Sequence, residues 1–135
     1  MNNIDLTKAF IDRINTHDVK GLIQMMSEDH TFIDSIGSVV HGRKELERAW
    51  TGYFRLFPDY KITVKDIFGE GNKVAVFGTA AATYSPSGHL YPDHHWEIPA
   101  AWEAQVHNRL ISHWAIFADN YKTVQMIQGL DPKPS

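Results

Sequence analysis

The period of the hydrophobic pattern changes at Pro58, and this change restricts the fold more than any other feature of the sequence. Before Pro58, apolar residues recur every three or four positions, which is typical of amphipathic helices. After Pro58, apolar and polar residues alternate, which is typical of strands with one buried face. Helices followed by strands, without a regular βα repeat, predict an α+β fold rather than a doubly wound parallel sheet.

These patterns, together with the turn residues between them, define the predicted elements. Helices are predicted over residues 4–14, 19–26, 43–56 and 121–130. Strands are predicted over residues 31–34, 38–41, 60–68, 73–84, 94–107 and 110–119. Pro99 is a place where a bulge would reverse the two faces of the strand over 94–107. We predict one domain over residues 1–130 and a disordered tail over residues 131–135.

The composition excludes several classes of protein. A net charge of −3 gives no electrostatic reason to expect nucleic acid or an anionic membrane as partner. The absence of cysteine excludes disulfides and thiolate zinc sites. The N-terminus lacks a signal-peptide pattern, and no apolar run reaches the roughly 18 residues of a membrane span, so we expect a cytoplasmic protein. Because His94 and His95 are neighbours on a predicted strand, they face opposite ways, and we predict no metal site.

The last predicted strand carries the strongest functional signal. Its odd-numbered side chains are predicted to share one face and comprise Ile111, His113, Ala115, Phe117 and Asp119. Such a row is suited to lining an apolar pocket with Asp119 at its mouth. Asp34 ends the strand over 31–34, and we predict that both carboxylates open onto the same cavity. Burial would raise the pKa of such a carboxyl group toward the range that is useful for proton transfer.

Structural roles are the alternative for each of these residues. Asp34 precedes a turn, where aspartate often serves only to form the turn. Asp119 precedes the last helix and could simply cap it. His113 could be a hydrogen-bonded histidine of the core, and the aromatic residues could be core as well.

Several short motifs occur in a characteristic order along the chain. They are DSIGS at 34–38 with Gly42 after it, LFPDY at 56–60, GEGNKVAV at 69–76, and Trp114 followed by Asp119. In this order the chain resembles the NTF2-like superfamily, in particular the SnoaL-like polyketide cyclases and the ketosteroid isomerases. The resemblance implies a cone-shaped α+β barrel, in which three N-terminal helices pack on a curved, mainly antiparallel sheet that encloses a pocket. It also implies a homodimer formed through the sheet and no cofactor.

The resemblance also implies roles for individual residues. Asp119 resembles the catalytic acid/base of the polyketide cyclases, and Asp34 resembles the proton-shuttling base of the ketosteroid isomerases. Phe10 and Ala100 stand where those isomerases carry a tyrosine and a protonated aspartate as oxyanion donors. Because a missing donor costs about 2.7–4 kcal/mol of transition-state stabilisation, ketosteroid isomerisation itself is not expected. By strand parity His113 is the best-placed substitute donor, ahead of His94 and Tyr53.

A hydrophobic small molecule is the predicted ligand. If the face of the strand over 73–84 that carries Gly78 and Ala80 points inward, its small side chains leave room for a bulky molecule. The predicted substrate-contacting side chains are Phe10, Trp50, Tyr53, Tyr84, His94, Trp96, Trp102 and Phe117. The first hypothesis is an acid/base enzyme that cyclises, isomerises or dehydrates a carbonyl compound. The alternatives are a non-catalytic binding domain and a dimeric interaction module with a vestigial pocket.

Overall fold

A computed structural model describes residues 1–130 of the chain. It contains four α-helices and six strands among these residues. The helices are α1 (Asn3–Asn15), α2 (Val19–Gln24), α3 (Arg43–Leu56) and α4 (Tyr121–Leu130). The strands are β1 (Met26–Ile33), β2 (Val39–His41), β3 (Lys61–Glu70), β4 (Lys73–Thr83), β5 (His95–His107) and β6 (Leu110–Ala118). The tail predicted over 131–135 lies outside the described residues.

Local capping explains where the first two helices begin. The Asn2 side chain accepts a hydrogen bond from the amide of Asp5 at 2.8 Å, and the Asp18 side chain accepts one from the amide of Gly21 at 3.0 Å. Each such bond satisfies an amide that has no partner within its helix. α3 ends before Pro58, as predicted, because the residue that precedes a proline disfavours the helical conformation.

All six strands form one sheet in the order β2-β1-β6-β5-β4-β3. Its strand pairs are antiparallel except for β1 and β6, which run parallel. The sheet is curved and does not close on itself, and its concave face carries the helices. The predicted NTF2-like α+β architecture is confirmed, with α4 as a fourth helix that follows the sheet.

The start of β1 differs from the prediction. The second helix is predicted to run to residue 26, but α2 ends at Gln24 and β1 begins at Met26, which pairs with Ile111 of β6. The β1–β6 register shifts between Met26 and Thr31, so the strand does not show a continuous alternation of apolar and polar residues. Within this segment His30 is fully buried. Without the alternation, residues 26–30 offer no local sign of a strand, and only the end of β1 is predicted.

The LFPDY motif has a clear structural role. The Asp59 carboxylate accepts hydrogen bonds from the Thr83 amide at 2.6 Å and from the Thr83 hydroxyl at 2.7 Å. These bonds fasten the α3–β3 connection to the end of β4. Phe57 and Tyr60, on either side of the Pro58–Asp59 pair, are thereby held against the concave face of the sheet.

Candidate functional site

A cavity of about 380 Å³ lies between the concave face of the sheet, α3 and α4. This volume is within the range of small-molecule sites in proteins. The lining residues are Phe32, Asp34, Ser35, Ile36, Val40, Ala49, Trp50, Tyr53, Phe57, Tyr60, Ala80, Trp96, Ile98, Trp102, Trp114, Ile116, Asn120, Thr123, Val124 and Ile127. Most of this surface is apolar, so the cavity is suited to a molecule with a hydrophobic body.

Eight aromatic rings form most of the wall: Phe32, Trp50, Tyr53, Phe57, Tyr60, Trp96, Trp102 and Trp114. Six of them pack in a series from Phe32 to Trp96, with ring centroids 5.6 Å apart for Phe32 and Trp50 and 4.7 Å apart for Tyr53 and Phe57. Trp102 and Trp114 stack on each other, with centroids 6.4 Å apart. Aromatic side chains lose little conformational freedom when they bind a flat ligand. The wall is therefore preformed for a flat or cyclic molecule.

Two tyrosine hydroxyl groups belong to this wall. Burial raises the pKa of Tyr60 well above its usual value, and a hydrogen bond from the Trp102 side chain partly opposes that rise. Burial likewise raises the pKa of Tyr53, and the nearby Tyr60 adds to the effect. Both phenols therefore keep their protons over the whole physiological pH range and can donate hydrogen bonds.

Asp34 carries the one charged side chain on the cavity wall within residues 1–130. It follows the end of β1, and its side chain reaches the same cavity as that of Phe32 two positions earlier. Its Oδ1 accepts hydrogen bonds from the amides of Ile36 at 3.0 Å and Ser38 at 2.9 Å. Its Oδ2 makes no hydrogen bond within the described chain. Asp34 thus forms the β1–β2 turn with one oxygen and keeps the other available.

The cavity is bordered on one side by α4. Thr123, Val124 and Ile127 face it, and the Asn120 side-chain amide donates a hydrogen bond to the Ser35 hydroxyl at 2.6 Å. This bond ties the start of α4 to the turn that contains Asp34. No residue of α4 is fully buried. The inner face of the helix borders the cavity and does not pack against other side chains over its whole length.

Four of the predicted substrate-contacting side chains line the cavity: Trp50, Tyr53, Trp96 and Trp102. Pro99 causes no bulge, since β5 keeps regular register with β4 from His95 to Gln105. The even-numbered side chains of β5 therefore face inward throughout this stretch. Ala80 also lines the cavity, in agreement with the predicted inward face of β4. That these residues contact a substrate stays a prediction.

The predicted orientation of β6 is wrong. Trp114 and Ile116, and not the odd-numbered row, line the cavity. Phe117 is 59% exposed on the opposite face, and His113 pairs with Gln105 on that outer face. Asp119 is exposed, and its Oδ1 accepts a hydrogen bond from the Tyr121 amide at 3.2 Å. Asp119 therefore caps the start of α4, which was its alternative role. Neither Asp119 nor His113 lines the cavity.

A bulge explains why simple alternation fails here. Val106 pairs with Ile111, while Gln105 pairs with His113, so one extra residue, Ser112, is inserted in β6. Ile111 and Trp114 consequently both face inward, although their numbers differ in parity. The side chains after the bulge are shifted by one position relative to the predicted faces.

Three further predicted contacts lie elsewhere. Phe10 is fully buried in the core, where its ring centroid is 5.1 Å from that of Trp114. Tyr84 and His94 line a separate surface depression next to the loop that follows β4. Tyr84 does touch the back of the cavity wall, since its ring centroid is 5.8 Å from that of Phe57.

Four aromatic residues of the lining are absent from the predicted contacts: Phe32, Phe57, Tyr60 and Trp114. Phe32 had a usable signal, because it lies two positions before Asp34 in a strand and so shares its face. Phe57 and Tyr60 belong to the LFPDY motif, which was interpreted only as a mark of the fold. Trp114 was assigned to the wrong face of β6.

The described part of the chain contains neither a metal-binding cluster nor a membrane-spanning helix. No group of three or more histidine or carboxylate side chains converges there in a way that could hold a metal ion. None of the helices in residues 1–130 combines the length and the apolar character needed to cross a membrane.

The open sheet, the helices on its concave face and the cavity between them define an NTF2-like or ketosteroid isomerase-like fold. Within that class, the SnoaL-like domain family matches residues 7–122, and the chain belongs to this family. A search of curated proteins finds no match.

Solved structures support the fold. A proposed SnoaL-like polyketide cyclase from Shewanella putrefaciens is 18% identical and has a TM-score of 0.79 over 97% of this chain and 99% of that one. IdmH, a proposed polyketide cyclase from Streptomyces antibioticus, is 19% identical, with a TM-score of 0.76 over 95% and 99%. A protein with a ketosteroid isomerase-like fold from Catenulispora acidiphila, in complex with trimethylamine, is 14% identical, with a TM-score of 0.72 over 83% of each chain.

Proposed function

We propose that this protein is an acid/base enzyme that acts on an apolar, carbonyl-containing small molecule, with Asp34 as the proton carrier. The observation that supports this most directly is the position of Asp34, whose carboxylate lies on the wall of an aromatic cavity with one oxygen available. Asp34 would take a proton from the carbon next to the carbonyl group, which leaves an enolate. It would then return the proton to the same or another carbon. Asp119 has no part in this proposal, because its exposed carboxylate bonds the Tyr121 amide.

The Asp34→Asn variant tests this proposal. Asparagine keeps the shape of the side chain and an Oδ1 that accepts the two turn amides, but it cannot take up the proton. With 2-tetralone in D₂O, the wild type is expected to speed up deuterium incorporation next to the carbonyl above the buffer rate, as followed by proton NMR. Asp34→Asn should lower the enzyme-dependent rate by roughly a hundredfold or more, the usual contribution of a general base.

Asp119→Asn is the matched control, because Asp119 also follows a strand and also bonds nearby backbone. We expect it to exchange deuterium at the wild-type rate. A rate that falls with Asp119→Asn and not with Asp34→Asn would contradict the assignment and restore Asp119 as the acid/base.

The second candidate is a non-catalytic domain that binds a small molecule in the same cavity. It is favoured by the engagement of Asp34 Oδ1 in the β1–β2 turn, which is a structural role. The two functions differ in the deuterium experiment. A binder would hold 2-tetralone without raising its exchange rate above that of buffer.

We also propose a homodimer that forms through the outer face of the sheet. Phe77 and Phe117 lie in one row across β4, β5 and β6, on either side of Ala101. Phe77 is 45% exposed and Phe117 is 59% exposed, and the Phe68 ring packs against Phe77 with centroids 6.2 Å apart. An aromatic patch of this kind on an outer face is a frequent mark of an interface.

The Phe77→Lys variant is expected to weaken dimerisation by roughly thirtyfold or more, because it places a charge at the centre of the proposed interface. Sedimentation equilibrium over a range of concentrations measures the effect. Leu90→Lys is the control, since Leu90 is similarly exposed, at 47%, but lies in the loop after β4. A wild type that is monomeric throughout would refute the proposed interface.

A further inference from the structure

Three neighbouring rings on the cavity wall carry hydrogen-bond donors without an acceptor in the described chain. The Trp96 indole nitrogen is buried and makes no hydrogen bond. The Tyr60 hydroxyl accepts a hydrogen bond from Trp102, but within residues 1–130 nothing accepts its own proton. The Tyr53 hydroxyl likewise makes no hydrogen bond to any described residue. Buried polar groups in native proteins nearly always have partners, so the unpaired Trp96 nitrogen next to two available hydroxyl groups needs an explanation.

The three rings form one cluster around Phe57. The ring centroids of Tyr53 and Tyr60 are 5.0 Å apart, and those of Tyr60 and Trp96 are 6.3 Å apart. Phe57 lies 4.7 Å from Tyr53 and 5.9 Å from Trp96, again between ring centroids. All four rings line the cavity. The donors therefore belong to one region of the wall and not to separate sites.

This region is rich in hydrogen-bond donors, and its acceptors are the oxygens of the two phenols. An indole N–H can only donate, and burial keeps both phenols protonated. The lining contains no lysine, arginine or histidine within the described residues, so nothing there would compensate a full negative charge. The partner that suits such donors is thus an uncharged hydrogen-bond acceptor. If negative charge develops on this acceptor during a reaction, the N–H and O–H dipoles stabilise it.

We propose that Tyr53, Tyr60 and Trp96 form a subsite that binds the carbonyl oxygen of the ligand. This inference rests on the proposed function, because it concerns the molecule held in the same cavity. It also places the donors in α3, in the α3–β3 connection and in β5 near its start. Phe10 and Ala100, which stand at the donor positions of the ketosteroid isomerases by resemblance, have no donor side chain.

Binding of 2-tetralone and of tetralin, which differ by the carbonyl oxygen, tests the subsite. Both are measured by displacement of the fluorescent probe N-phenyl-1-naphthylamine. The wild type is expected to bind the ketone roughly tenfold more tightly than the hydrocarbon. Trp96→Phe and Tyr53→Phe keep a ring but remove a donor, and each should reduce this ratio roughly threefold. Tyr91→Phe removes a hydroxyl group outside the cavity and should leave the ratio unchanged.

The indole N–H signal of Trp96 in wild-type protein gives a second readout that does not depend on a variant folding. We expect it to move downfield with 2-tetralone and to move much less with tetralin. Equal affinities for the two compounds, no binding of either, or an unchanged ratio in both variants would overturn the subsite.

Asp34→Asn separates this inference from the proposed function. We expect it to retain the wild-type preference for the ketone while losing the deuterium exchange. If the preference persists and the wild type itself shows no exchange, the proposed acid/base function fails and the subsite stands. If deuterium exchange depends on Asp34, but the preference for the ketone is unchanged in Trp96→Phe and Tyr53→Phe, the proposed function stands and the subsite fails.

Discussion

Replacement of Gly78 by alanine is expected to lower the free energy of unfolding by about 3 kcal/mol, at the upper end of the usual range for overpacking. A Cβ atom at this position would lie 1.9 Å from the Thr63 carbonyl oxygen, 3.0 Å from the Thr63 carbonyl carbon and 3.2 Å from the Lys65 nitrogen. All three are backbone atoms, so no side chain can turn aside. β3 and β4 would have to separate where a bulge shifts their register between Val64 and Asp66.

Urea denaturation measures this effect as a fall in the transition midpoint at constant slope. Gly52→Ala is the matched control, because Gly52 lies in α3 with nothing within 4 Å of the added Cβ. That variant should gain roughly 0.8–1 kcal/mol from helix propensity. If Gly78→Ala were as stable as the wild type, the close approach of the two strands would not exist in solution.

Acid is expected to destabilise the protein by about 3 kcal/mol between pH 7 and pH 4 through His30 alone. Burial lowers the pKa of His30 from 6.5 to about 4, and a hydrogen bond with the Ile111 carbonyl oxygen at 2.6 Å partly opposes this shift. Between these two pH values the unfolded chain binds a proton that the folded chain does not bind. The stability is therefore complete above pH 6.5 and falls as the pH drops toward 4.

His30→Leu removes this titration, and we expect its unfolding free energy to change less between pH 7 and pH 4 than that of the wild type. The comparison of the two slopes cancels the contribution of carboxyl groups that titrate in the same range. His89→Leu, at an exposed histidine in the loop after β4, should keep the wild-type slope. Identical slopes for His30→Leu and the wild type would show that His30 does not stay neutral in the fold.

The elements of the fold were largely predictable because they depend on local patterns. The bounds of α3 and α4 agree with the prediction, since each has amphipathic spacing, and Pro58 directly follows Phe57, the C-cap residue of α3. β4 and β5 follow their alternation closely. β1 was too short in the prediction, because its register shift and the buried His30 interrupt the alternation.

The candidate site was predictable only in part. Asp34, Trp50 and Trp96 line the cavity, as predicted. Asp119 and His113 do not, because one inserted residue at Ser112 changes which side chains of β6 face inward. A bulge is set by the pairing of two strands, and the sequence of a single strand does not contain that information.

The sequence by itself determined the order and type of the elements, the apolar character of the interior and the family. Only the tertiary structure decided which of two aspartates reaches the cavity and which rings stand together on its wall. Tyr53, Tyr60 and Trp96 come from three separate segments, and their proximity depends on how α3 and the connection after it lie on the sheet. Local periodicity determines each element, but a site is formed by the long-range register and packing that bring elements together.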